Sequence, residues 1–223
     1  APAAFGDRAL ELLTSALRQG LRECEVEAVL TLATRPGHRA NAEWLYRELA
    51  QMTMPDRDAT WSIATYFADT SSDSYRRLTQ WSLEGRVTSN TEIELAARTL
   101  IWLLTSPNRF LRDEVSKTLV RLVHSNLRVL AGLVRAARDV DDPYMQERLL
   151  TITYGALMVG GDSNLNHARL VVDELIAWRD AGLPIDVVAR DSARGTLAWA
   201  ADRGLVTAFE VAAFDPPYGA DPP

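Results

Sequence analysis

Four carboxylates crowd the stretch "RDVDDPYMQE": Asp139, Asp141, Asp142 and Glu147. Hard oxygen ligands gathered in this way can hold Mg2+. An aspartate-rich helix is one way for an all-α enzyme to hold Mg2+ on a diphosphate, and Asp141, Asp142 and Glu147 would be its ligands. The same residues also fit a simpler role. Asp142 stands just before Pro143, where a carboxylate accepts the free amides of a helix start and suits the helix dipole. No second acidic motif accompanies the cluster, so the capping role is the preferred reading.

Other reactive side chains form no constellation. His38, His124 and His167 are not spaced as ligand pairs, and no cysteine lies near them, so no metal site is expected. There is no G-x-S-x-G and no strand to carry one. "GGDSN" at 160–164 has glycines without G-x-x-x-x-G-K-[ST], so it is not a P-loop. Cys24 follows "RE" within an amphipathic stretch and reads as a buried or neutral thiol. No catalytic, metal-binding or cofactor-binding residue is assigned, no cofactor is expected, and no binding residue can be picked out. In "TSPNRFLRDEVSKTLVRLV", Arg109, Arg112 and Asp113 could clamp a phosphate or carboxylate, but an ion pair between helices explains them more simply.

The elements that must position these residues are helices. Apolar residues recur at helical spacing over about 7–20, 22–34, 41–52, 57–69, 72–85, 91–104, 107–124, 127–139, 143–159, 165–181 and 187–203. Asp7 is placed as the cap of the first and Gly20 as its end. Thr91 with Glu94 suggests a capping box. Links of two to five residues force neighbouring helices side by side and antiparallel. Gly155, inside "TITYGALM", implies close helix packing. Trp44, Trp61, Trp81, Trp102, Trp178 and Trp199 are expected mostly in the core, with one or two exposed on a binding face.

"SPNRFLR" and "DPYMQER" suggest an internal repeat. In each a capping residue precedes a proline that opens the helix, where its missing N–H costs nothing. Pro107 and Pro143 are 36 residues apart, as are Arg112 and Arg148. The repeat positions are therefore Pro107, Arg112, Asp113, Asp142, Pro143 and Arg148, with Arg112 and Arg148 expected to play one part in successive units. No third clean copy is found. A two-helix unit of this length suits an α-solenoid.

The expected fold is all-α: a right-handed, HEAT-like superhelix of roughly ten antiparallel helices over residues 1–204, with a softer boundary near 86–90. A compact bundle is the alternative. After Gly204, "VTAFEVAAF" is read as a short strand and "DPPYGADPP" as an extended, Pro-rich tail or linker.

The net charge of -6 argues against broad nucleic-acid binding. Of the 24 basic residues all but Lys117 are arginine, which fits a GC-rich genome. A single cysteine permits no internal disulfide and fits a cytoplasmic protein. No apolar run is long enough for a membrane span. "APAAFGDRALELL" lacks the basic start and long apolar core of a signal peptide. The missing Met and the Pro-rich end suggest excision from a longer protein.

"WLLTSPNRFLRDEVSKTLVRLV", "DVDDPYMQERLLTITYGALM", "FDPPYGADPP" and "MPDRDATWS" resemble the helical-repeat region of large bacterial STAND-type ATPases of the antiviral, Avs-like group. The resemblance spans about residues 54 to 219. It implies a C-terminal helical array that senses a phage protein, coupled in the parent protein to a nucleotide-binding module and an effector. The motifs of both those parts are absent here. The chain is thus expected to be non-catalytic, with a protein partner: a phage protein or other domains of the same protein. A stand-alone HEAT-like adaptor and the Mg2+-dependent enzyme remain the alternatives.

Overall fold

The computed structural model describes residues 6–67, 73–84, 89–182 and 184–216. Among them the chain is all-helical, with 78% of residues in helix and no strand. The helices are α1 (Asp7–Gln19), α2 (Glu23–Ala33), α3 (Ala42–Ala50), α4 (Met54–Arg57), α5 (Ile63–Phe67), α6 (Asp73–Leu83), α7 (Asn90–Leu103), α8 (Arg109–Val123), α9 (Leu127–Arg138), α10 (Pro143–Gly160), α11 (Leu165–Ala181), α12 (Val187–Ala201) and α13 (Ala208–Ala212). A π turn, Asp58–Ser62, joins α4 to α5 without a break. Counted as one, that run gives 12 helices among the described residues, where roughly ten were expected.

The chain forms two compact units, 1–119 and 120–223. The softer boundary considered at 86–90 lies partly outside the described residues. In the first unit α3 packs on α7, and α2 packs on α3, α5, α6 and α7. Trp61 and Trp102 are wholly buried there, and the Trp61 indole donates 2.8 Å to the Trp102 carbonyl. In the second unit α9 packs on α11 and α10 on α12, while α9–α10 and α11–α12 also touch. Its core is drawn from one stripe of each helix, as with Leu130, Val134 and Ala137 of α9 or Val171, Val172 and Leu175 of α11.

Several helix boundaries differ from the sequence reading, and in all but the first another polar side chain takes the free amides. Asp7 is the first residue of α1, after Gly6 in the capping position. The capping box of α7 is Ser89 with Glu92, not Thr91 with Glu94, and Glu94 pairs instead with Arg98 at 3.0 Å. The run expected from 57 begins at Met54, because the Thr53 hydroxyl accepts from the Asp56 amide. α8 begins at Arg109 rather than at Pro107. Asn108 caps it by accepting from Phe110 and Leu111, and Pro107 precedes the cap.

The short strand expected after Gly204 is a helix. Thr207 and Glu210 form a reciprocal capping box that opens α13. Nor is the chain an extended tail from residue 205: α13 packs on α12, Phe214 is buried, and Arg194 of α12 lies 2.6 Å from Asp215. Residues 217–223 of the expected tail lie outside the described residues.

Candidate functional site

The sequence-selected residues gather around the starts of α8 and α10, and there the structure resets the repeat. α10 opens as expected: Asp142 is buried, accepts from the Met145 amide at 3.0 Å, and precedes Pro143 in the first helical position. The equivalent capping residue of α8 is Asn108, so the two helix starts align 34 residues apart, not 36, and Pro107 and Pro143 are not equivalent. Arg112 and Arg148 part company in the same way. Arg112, four residues after its cap, donates 2.6 Å to the Ser106 carbonyl. Arg148, six after its own, lies 3.7 Å from Glu147. The counterpart of Arg112 is Gln146, which donates 2.8 Å to the Val140 carbonyl.

With this register a third copy emerges at α12. Asp186 caps it, accepting from Ala189 at 2.8 Å, and Arg190 donates 2.8 Å to the Pro184 carbonyl. All three copies have one design. An Asn or Asp takes the amide of the third helical residue, that residue is buried, and a long polar side chain at the fourth reaches back to the link carbonyl two residues before the cap. Carbonyls in such links are left over when the preceding helix ends. Buried positions agree along the helices as well. Val115, Leu149 and Ala193 stand seven residues after the caps, and Leu119, Thr153 and Leu197 stand eleven after, all fully buried. α4 carries a variant, with Thr53 as cap and Arg57 reaching the Leu49 and Met52 carbonyls at 3.3 and 3.2 Å. The second helical position, by contrast, is apolar and exposed in all three copies: Phe110, Tyr144 and Val188.

The carboxylates near α10 point to different tasks. Asp139 follows α9 and pairs with Arg138 at 3.6 Å, Asp141 is exposed, Asp142 caps α10, and Glu147 lies beside Arg148. Among the described residues no three His, Cys, Asp or Glu side chains gather as a metal ion requires. Arg109 lies 3.7 Å from Asp113 one turn along α8. His38 Nδ1 accepts from the Ala40 amide at 3.1 Å, His124 Nδ1 lies 2.7 Å from the Arg121 carbonyl, and His167 Nδ1 lies 3.1 Å from the Asn164 amide. Cys24 is exposed rather than buried.

A groove of about 360 Å3 runs between α2 and α6 in the first unit, lined by Leu30, Leu78, Trp81, Arg77 and Glu84. Its volume is at the small end for a ligand site. Trp81 is the half-buried tryptophan; the other five are buried. Nearby, burial and the Glu114 carboxylate push the Tyr75 phenol far up, so it stays neutral. These residues offer apolar contact and hydrogen bonds, with no nucleophile–base pair among them.

Sequence reasoning missed the third copy because the repeated features are a cap type and a reach, not residue identities. Arg and Gln serve equally at the fourth position, and the links differ in length. It also chose the wrong glycine. A Cβ on Gly155 would meet Val120 at an ordinary 3.4 Å, whereas one on Gly160 would collide with the His124 carbonyl and one on Gly161 with the Trp199 ring.

The chain matches no protein-family model, and comparisons with curated proteins and with solved structures returned no match. No helix among the described residues is long and apolar enough to cross a membrane.

Proposed function

We propose that this chain is a non-catalytic, HEAT-like helical-repeat scaffold that binds protein in the cytoplasm. It would form the sensor or architectural array of a larger antiviral STAND-type ATPase. The observation that carries the scaffold reading is the helix start that recurs at α8, α10 and α12, with the same buried positions behind it. Repeat architectures are built from one such two-helix unit, each burying its apolar face on the next. Contact between second neighbours, α9 with α11 and α10 with α12, supports the same reading. Antiparallel pairs stacked into a superhelix follow from it.

The exposed apolar second position supports a role in binding. Phe110 is 79% exposed and Tyr144 55%, and single large aromatics of this kind concentrate binding energy. The test is capture from phage-infected lysate by the chain and by a Phe110→Ser, Tyr144→Ser, Val188→Ser variant. A specific phage protein held by the first and lost by the second is expected. Hydrolysis of nucleotide or diphosphate esters by the purified chain would overturn the non-catalytic reading. A gene lacking an upstream P-loop would overturn the ATPase placement and leave the adaptor.

A further inference from the structure

From Leu149 to Gly160, α10 has no charged residue, yet Thr151, Tyr154, Met158 and Val159 are all exposed. A helix that is apolar all round is ordinarily covered on every side. The neighbouring helices show what a solvated face looks like in this unit: α9 exposes Arg128 and Arg135, and α11 exposes Arg169 and Asp173.

We propose that a second copy of this chain covers the exposed face of α10, related by a two-fold axis running along that helix. Charge placement in the second unit argues for this occupant. α12 lies along one flank in parallel register: Thr151 is 3.1 Å from Ser192, the Tyr154 ring lies against Gly195, and Trp199 packs on Gly161. The end of α8 lies along the other flank, with Val120 at Gly155 and His124 at Gly160. Exposed Arg121 therefore stands on one side of the apolar strip, level with the stretch between Tyr154 and Met158. Exposed Asp191 and Asp202 stand on the other side, one about a turn before and the other about a turn and a half after that level. A two-fold axis along α10 keeps the level and exchanges the flanks. Each Arg121 then falls between Asp191 and Asp202 of the second copy, while apolar surface meets apolar surface. An isologous interface requires a patch that is self-complementary in this sense, and complementary potentials fix its register.

Sedimentation equilibrium of the whole chain tests the proposal, which does not depend on the chain binding any other protein. A reversible dimer is expected. Met158→Glu should weaken it at least tenfold with unchanged circular dichroism and melting, because the side chain faces solvent in the monomer. Arg121→Glu should weaken it too, and adding Asp191→Arg and Asp202→Arg should restore much of the loss. A chain that stays monomeric at every concentration, or a dimer indifferent to Met158→Glu, overturns the proposal and leaves the face to a different partner or to none.

Discussion

Reach-back from the fourth helical residue is made twice with arginine and once with glutamine at α8, α10 and α12, and a fourth time by Arg57 at α4. In the unit 1–119, Arg57 is 1% exposed and stands 5.7 Å over the Trp102 ring, which Tyr46 also meets at 5.7 Å. Arg112 in the same unit, and Gln146 and Arg190 in the unit 120–223, do the same work half-exposed. The interior of the second unit is shaped by small residues instead: Gly160 at the His124 backbone, Gly161 under Trp199, Ala156, Ala193 and Ala200. One unit joins its helix ends through buried polar and aromatic groups, the other through close backbone approach. Buried polar groups are costly when partly satisfied, and close approach is intolerant of added volume. The two units should therefore fail under different substitutions.

The largest effect is expected at Arg57. Arg57→Met keeps apolar volume but strips the Leu49 and Met52 carbonyls of a donor inside the core. The Leu49 carbonyl keeps the Met52 amide at 3.2 Å, but the Met52 carbonyl and the Trp102 ring lose the guanidinium, so a loss of about 1–3 kcal/mol is expected by urea denaturation. Gln146→Met, where water can replace the side chain, should cost less than about 1 kcal/mol. Equal losses at the two positions would break the contrast between the units.

Next comes volume in the second unit. Gly160→Ala drives a methyl against the His124 carbonyl, which is backbone and cannot swing away. A destabilisation of about 1–3 kcal/mol is expected. Gly155→Ala, one and a half turns earlier in the same helix, meets only Val120 at 3.4 Å and should be neutral or stabilise by up to about 1 kcal/mol. Melting temperatures of the two variants, measured side by side, separate close approach from helix propensity.

These sites also mark how far the sequence could be read. Helix periods were legible wherever one stripe is buried, as in α9, α11 and α12, whose ends fall within about two residues of the expected ones. Asp142 with Pro143 was legible because a single cap candidate precedes the run. At α8 two candidates compete, Ser106 and Asn108, and only the hydrogen bonds decide between them. A two-residue error there changed a 34-residue spacing into 36, and the copy at Asp186 stayed hidden because it follows Asp142 by 44 residues, through a longer link. Nothing in the local sequence distinguishes Gly160 from Gly155. That difference lies in where His124 is brought, which is tertiary.

The register itself gives a smaller test. Asn108→Ala and Asp142→Ala should each cost about 1 kcal/mol, as for other helix caps. Ser106→Ala and Pro107→Ala should cost clearly less, since neither residue accepts a first-turn amide of α8. A larger loss from Ser106→Ala than from Asn108→Ala would return the spacing of α8 and α10 to 36 residues and take α8 out of register with α10 and α12.

The smallest effect belongs to the turn between α2 and α3, again in the unit that relies on buried polar groups. His38 Nδ1 must be unprotonated to accept from the Ala40 amide. Burial, and then the nearby Arg35 charge, hold the imidazole below the usual histidine range. A depressed histidine binds fewer protons folded than unfolded, so its contribution is complete above about pH 6.5 and is lost as pH falls through the lowered folded value. Asparagine at this position can accept the same amide two residues on, as in an Asx turn, and does not titrate in this range. The stability difference between His38→Asn and the parent should therefore widen in favour of the variant as pH falls from about 7.5 to about 5.5. Parallel stability curves across that interval would mean that the turn does not respond to pH through His38, and that acid sensitivity of this unit, if measured, must come from its carboxylates.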